Sequence, residues 1–164
     1  MDRQYIIDLA VETAKAAQIK DDVCSRSVLI GLSKIFDEIP DEMITASTSL
    51  LGGTGAASGS CGAYCAGLLG VGLKFNCPIE EEQASPALIF NGIRKAAEYR
   101  DRFLAAHGTV LCPHIHEKLF GRSYIFTDPE QEQEFLSLEG HREKCAEIVG
   151  DATRIAAEMI LSDI

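Results

Sequence analysis

Apolar positions recur every three to four residues along almost the whole chain, the spacing of helices that bury one face. Ile6, Leu9, Ala10, Thr13 and Ala17 predict a first helix. Asp21 or Asp22 is placed to cap a second, whose stripe is Cys24, Val28, Gly31, Leu32 and Ile35. Pro40 and Asp41 open a short third helix reaching about Leu51, and a glycine-rich loop over 52–60 follows. A fourth helix is expected over about 61–75, broken by Asn76-Cys77-Pro78. Glu80, Glu81 and Glu82 precede a long helix over about 86–106, ended by His107-Gly108. Cys112-Pro113 starts a short piece ending near Gly121, Asp128-Pro129 caps another, and a last helix covers about 140–161. The stripe of that last helix is Cys145, Ile148, Val149, Ala152, Ile155, Ala156 and Met159. Val110-Leu111 and Tyr124-Ile125-Phe126 are too short to make a sheet alone. The pattern predicts an all-α, single-domain bundle of about five to seven helices over residues 1–164.

Composition narrows the function classes. The hydrophobic fraction of 46% fits a folded chain, and 164 residues suffice for a core of useful size. A formal net charge of -10 would repel a phosphate backbone or an anionic lipid surface. Neither nucleic acid nor a membrane is therefore an expected partner; a basic protein is. The N-terminus has no long apolar segment of signal-peptide type, and the longest apolar stretch, 63–73, is far short of the roughly 20 residues of a membrane span. A cytoplasmic protein is expected. Its six cysteines are then expected to be buried, metal-bound or catalytic, not a permanent disulfide framework.

Cys61 follows the glycine-rich loop directly and opens the fourth helix. At such a junction, unpaired N–H groups and the positive helix end favour a thiolate. Cys112, before Pro113, reads as the N-cap of its helix, with the same expectation. Cys24 and Cys145 sit on core-facing stripes, where a cysteine is first of all a small apolar residue. No Cys-x-x-Cys pair occurs, which argues against a zinc finger, a bacterial ferredoxin or covalent haem attachment. Cys65, one turn after Cys61, is either a resolving thiol or a packing residue, and Cys77 reads as peripheral. His114 and His116 read as surface residues, and His141, four before Cys145, as solvated. The loop glycines lack the P-loop lysine and a preceding strand, so they are expected to bring the backbone close to whatever Cys61 binds. Gly67, Gly70 and Gly72 suggest close helix packing, or a helix seated against a cofactor or a second subunit of a homodimer.

Cys24, Gly52-Gly53-Thr54-Gly55, Cys61-Gly62-Ala63, Cys112 and Cys145 together resemble the C-GCAxxG-C-C family of redox-active proteins, over roughly residues 20–160. The motif glycine is Ala66 here, with Gly67 beside it, and Cys65 fills a variable position. A related domain occurs in split-Soret cytochromes, whose cysteines are regarded as an iron–sulfur site. The resemblance implies an iron–sulfur cluster on Cys24, Cys61, Cys112 and Cys145, with Gly53, Gly55 and Gly62 near the cofactor, [2Fe–2S] favoured over [4Fe–4S], and a redox protein as partner. Two other readings stand beside it. One is a metal-free thiol–disulfide enzyme with Cys61 as nucleophile and Cys65 or Cys112 resolving it. The other is a structural zinc site on the same ligands.

Overall fold

The computed structural model describes residues 2–162; residues 1, 163 and 164, included in the single-domain reading, lie outside the described residues. Helix α1 spans Arg3–Asp21, α2 Cys24–Leu32, α3 Asp41–Ser47 and α4 Gly62–Phe75. Then follow α5 (Ile79–Ala84), α6 (Ile89–His107), α7 (Cys112–Phe120), α8 (Pro129–Leu136) and α9 (His141–Ile160). Short 3-10 turns cover Thr48–Leu50 and Pro86–Leu88. The all-α class holds, with nine α-helices among the described residues instead of five to seven. The extra elements are short. The run Glu80–Glu82 falls inside α5, where it sits in the first turn and complements the positive helix end without an apolar stripe to reveal it.

Helices α1, α2, α4, α6 and α9 pack around one apolar core. The buried face of α1 is Ile7, Ala10, Val11, Ala14 and Gln18, so the predicted stripe was set one position off and Leu9 is exposed. Spacings of three and four from Ile7 gather the residues that meet α2 and α9. Asp22 does not cap α2. It ends α1 in the left-handed region at φ 55°, and Val23 stands before α2. Its carboxylate is thereby free to bond His141. Gly108 and Gly121 end α6 and α7 in the left-handed region as expected.

The glycines of α4 are occupied within the chain. A Cβ at Gly67 would lie 2.0 Å from the Tyr99 hydroxyl on α6, and one at Gly70 2.7 Å from Leu32 on α2. Gly67 and Gly70 thus seat two neighbouring helices of the same chain. No helix among the described residues is long and apolar enough to cross a membrane.

Candidate metal centre

Three of the four dispersed cysteines stand at helix starts: Cys24 is the first residue of α2, Cys61 caps α4, and Cys112 is the first residue of α7. Leu111, not Cys112, is the cap residue of α7. Two local clasps bring the segments together. In the first, Ser60 and Leu111 form an antiparallel bridge. The Cys61 N–H donates to the Val110 carbonyl at 2.7 Å, and the Cys112 N–H to the Gly59 carbonyl at 2.8 Å. The stretch Val110-Leu111, too short for a sheet, therefore works as a single rung that sets Cys112 beside Cys61.

The second clasp joins the start of α9 to the α1–α2 junction. His141 Nε2 lies 2.7 Å from Asp22 Oδ2, and its Nδ1 2.8 Å from the Leu138 carbonyl. Arg142 donates to the Ile19 and Lys20 carbonyls at 3.2 and 2.9 Å. Cys145, one turn beyond His141, is so held near Cys24. His141 is 6% exposed, contrary to the solvated reading, because Asp22 provides it a buried partner.

All four cysteines line one cavity of about 100 Å³, with apolar walls that include Ile115, Phe126, Phe135 and Ile148. Cys61 and Cys112 are buried, Cys24 and Cys145 half-buried, and all six cysteines of the chain are free thiols. Among the described residues, no three Cys, His, Asp or Glu side chains form a group that could hold a metal ion. The four thiols surround the cavity without closing on one point. A single tetrahedral ion gathers its sulfurs to within about 4 Å of one another, given metal–sulfur bonds of about 2.3 Å. A cluster of several irons spreads its ligands further.

The electrostatics correct the thiolate expectation. Burial pushes the Cys61 thiol up to about 12, helped by the nearby Cys24 sulfur. Burial likewise raises Cys24, Cys112 and Cys145, and for Cys112 and Cys145 the other cavity sulfurs push the same way. The helix-start N–H groups act in the opposite sense but lose to desolvation. The backbone N–H groups of Ser25 and Ala63, with that of Gly52 in the loop, pull the Cys24 thiol down, and those of Tyr64 and Ala63 pull down Cys61. Without metal the four are neutral thiols at physiological pH, which removes the ground for a low-pKa nucleophile at Cys61. A metal reverses the balance, because coordination deprotonates the thiols outright. The donor set then fits an iron–sulfur group: four sulfurs, N–H donors already aimed at two of them, and an apolar shell.

The loop before Cys61 is wound unusually. Residues 52–56 and Ser58 all have positive φ, including the non-glycines Thr54, Ala56 and Ser58 at 66°, 54° and 58°. Left-handed non-glycine residues cost about 1 kcal/mol or more each and persist only where surrounding bonds fix them. Here Gly55 N–H donates to Ser49 O at 2.8 Å, Gly59 N–H to Gly53 O at 2.8 Å, and Thr54 Oγ1 to Ser60 O at 3.0 Å. Of the glycines expected near the cofactor, Gly62 touches a candidate ligand: its Cβ would lie 2.7 Å from Cys24 Sγ and 2.6 Å from the Leu50 carbonyl. A Cβ at Gly53 would lie 2.6 Å from Gly59 N on the loop's return, whereas one at Gly55 would meet only Ser49 O, at 3.9 Å. Gly52, whose N–H reaches Cys24, lines the cavity instead.

Gly62→Ala is expected to cost about 2–3 kcal/mol, since backbone on one side and a ligand sulfur on the other leave the methyl no room. Gly55→Ala, strained only by its φ of +71°, should cost about 1 kcal/mol. Denaturant unfolding of both variants checks the order; equal losses would contradict this packing.

Cys65 is outside the cavity lining. Its sulfur lies 3.7 Å from Thr54 Oγ1 and 4.0 Å from Ser60 O, against the loop. Cys77 is half-buried between α4 and α5. His114 is exposed as expected, but His116 is buried at 3% exposure, and Phe120, Tyr124, Phe126 and Phe135 surround its ring. No spacing rule reveals that enclosure, because its members come from α7, α8 and the segment between them.

A family model described as "Putative redox-active protein (C_GCAxxG_C_C)" matches residues 23–159. The chain belongs to this family. The match begins beside Cys24 and ends beyond Cys145, so it takes in all four cavity cysteines and both clasp-bearing segments around 60 and 111. Within the family motif, Ala66 is fully buried at the motif-glycine position, while Gly67 carries the contact with Tyr99. No curated protein and no solved structure matches the chain.

Proposed function

We propose that this family member holds an iron–sulfur cluster on Cys24, Cys61, Cys112 and Cys145 and serves electron transfer or redox sensing. The observation that carries the reading is the gathering of four cysteines from four separate helices on one small cavity. Core packing alone gives no reason for four thiols that raise one another's pKa to line the same cavity. Four cysteines serve a [2Fe–2S] or a [4Fe–4S] core; [2Fe–2S] is favoured here, and the iron count per chain separates the two.

When bound, the group supplies reversible one-electron capacity. The chain's own residues anchor it through four thiolates and stabilise sulfur charge through the N–H groups of Gly52, Ser25, Ala63 and Tyr64. Phe126, Phe135 and Ile148 limit water at the sulfurs. The net charge of -10 favours a redox partner with a basic face. Six free thiols suit a reducing compartment, and the cytoplasm is the proposed location.

Single Cys→Ser variants test the ligand set. Anaerobically prepared Cys24, Cys61, Cys112 and Cys145 variants are expected to lose most bound iron and acid-labile sulfide. Cys65→Ser and Cys77→Ser should keep both. Full iron and sulfide in Cys112→Ser would show the ligand set to be wrong.

A further inference from the structure

His116 sits one turn after Cys112 on α7, and its Nε2 lies 3.5 Å from Cys112 Sγ. That separation suits either of two roles, a hydrogen-bond donor to the sulfur or a second ligand on the same metal. The far side of the ring decides between them. Nδ1 is buried and has no hydrogen-bond partner among the described residues. A neutral imidazole carries one proton. Were that proton on Nδ1, a buried N–H would be left unpaired, which is rarer and costlier than an unpaired acceptor. The proton therefore belongs on Nε2, facing the sulfur. The same point disfavours ligation through Nε2, since a metal-bound histidine almost always donates its other N–H to an acceptor.

The ring is fixed in this orientation. It stacks on Phe135 with centroids 4.6 Å apart and planes 20° apart, and Phe120 and Phe126 close its edges at 5.6 and 5.4 Å. A doubly protonated ring would leave the buried Nδ1 N–H unpaired among these aromatic side chains, so the enclosure itself holds the ring as a neutral donor.

We propose that His116 is a positioning residue that keeps its proton on Nε2 and donates it as a hydrogen bond to Cys112 Sγ when that sulfur is a metal-bound thiolate. The metal-bound half of this rests on the four-cysteine reading; the tautomer does not. Reduction adds negative charge to the cluster sulfurs, so a donor on one of them stabilises the reduced state and raises the potential.

Two experiments test the proposal. Long-range proton–nitrogen NMR correlation on the metal-free protein and on its cadmium-loaded form should show His116 protonated on Nε2; a proton on Nδ1 overturns the proposal. In iron–sulfur-loaded protein, His116→Phe keeps an aromatic ring but removes the donor. It should shift the reduction potential to more negative values with iron and sulfide content unchanged, and His116→Gln, whose amide reaches the same sulfur, should recover part of the shift. An unchanged potential overturns the donor role, and loss of iron in His116→Phe overturns it in favour of ligation. Wild-type protein that takes up no iron or sulfide would refute the four-cysteine reading, while the tautomer in metal-free protein would still decide this one.

Discussion

Loading the metal-free protein with iron and sulfide should raise its thermal midpoint by about 10 °C or more. A ligand present at about a thousand times its Kd stabilises the native state by about 4 kcal/mol, and in a chain of this size 1 kcal/mol moves the midpoint by roughly 2–4 °C. The gain has a structural origin: α2, α4 and α9 already pack on one another, whereas the start of α7 is joined to the segment before α4 by two backbone hydrogen bonds and one bridge, so a group held by all four sulfurs adds a link that the core lacks. Cross-linking them at one point couples binding to folding. Calorimetry of loaded and metal-free protein measures the shift, and Cys61→Ser should abolish it. Equal midpoints for loaded and metal-free wild type would mean that metal does not tie these segments together.

Metal-free protein should lose stability steeply above about pH 9. Cys61 has its folded pKa raised from 9.0 to about 12, so its stabilising share is complete below about pH 9 and is lost as pH rises towards 12. In that window the unfolded chain releases a proton that the folded chain keeps. Each such group costs about 1.4 kcal/mol per pH unit, and Cys61 alone about 4 kcal/mol across the window. Buried Cys112 adds to this in the same direction. The buried Tyr99 hydroxyl, also raised, contributes above about pH 10, so Cys61→Ala isolates the thiol share. Loaded protein has thiolates already deprotonated and should lack the cysteine part of the slope. Denaturant midpoints between pH 8 and 11 give the answer; a flat profile in the metal-free protein would contradict the burial of these thiols.

The contrast between helix-start and burial effects shows what the sequence could and could not reveal. The start of α4 beside Cys61 and its end before Asn76-Cys77-Pro78 were legible because glycine and proline act locally. So were Gly108, Gly121 and Asp128 at the ends of α6, α7 and α8. Local reasoning also placed Cys61 and Cys112 among free N–H groups. It failed on the sign of their pKa shifts, because desolvation depends on Phe126, Phe135 and Ile148, which come from other segments.

The histidines follow the same rule. His116 and His141 lie among polar neighbours in sequence, and only tertiary contacts with Phe135 and Asp22 bury them. The shared cavity itself was beyond spacing arguments. It depends on the Ser60–Leu111 rung and the Asp22–His141 pair, neither of which has a local signature.

The most direct test of the account is the iron, acid-labile sulfide and visible spectrum of protein purified without oxygen. The account predicts iron and sulfide in equal amounts and a charge-transfer band between about 400 and 600 nm, as thiolate-held clusters show. Colourless protein with four reactive cavity thiols and no sulfide, even after anaerobic reconstitution, would contradict it.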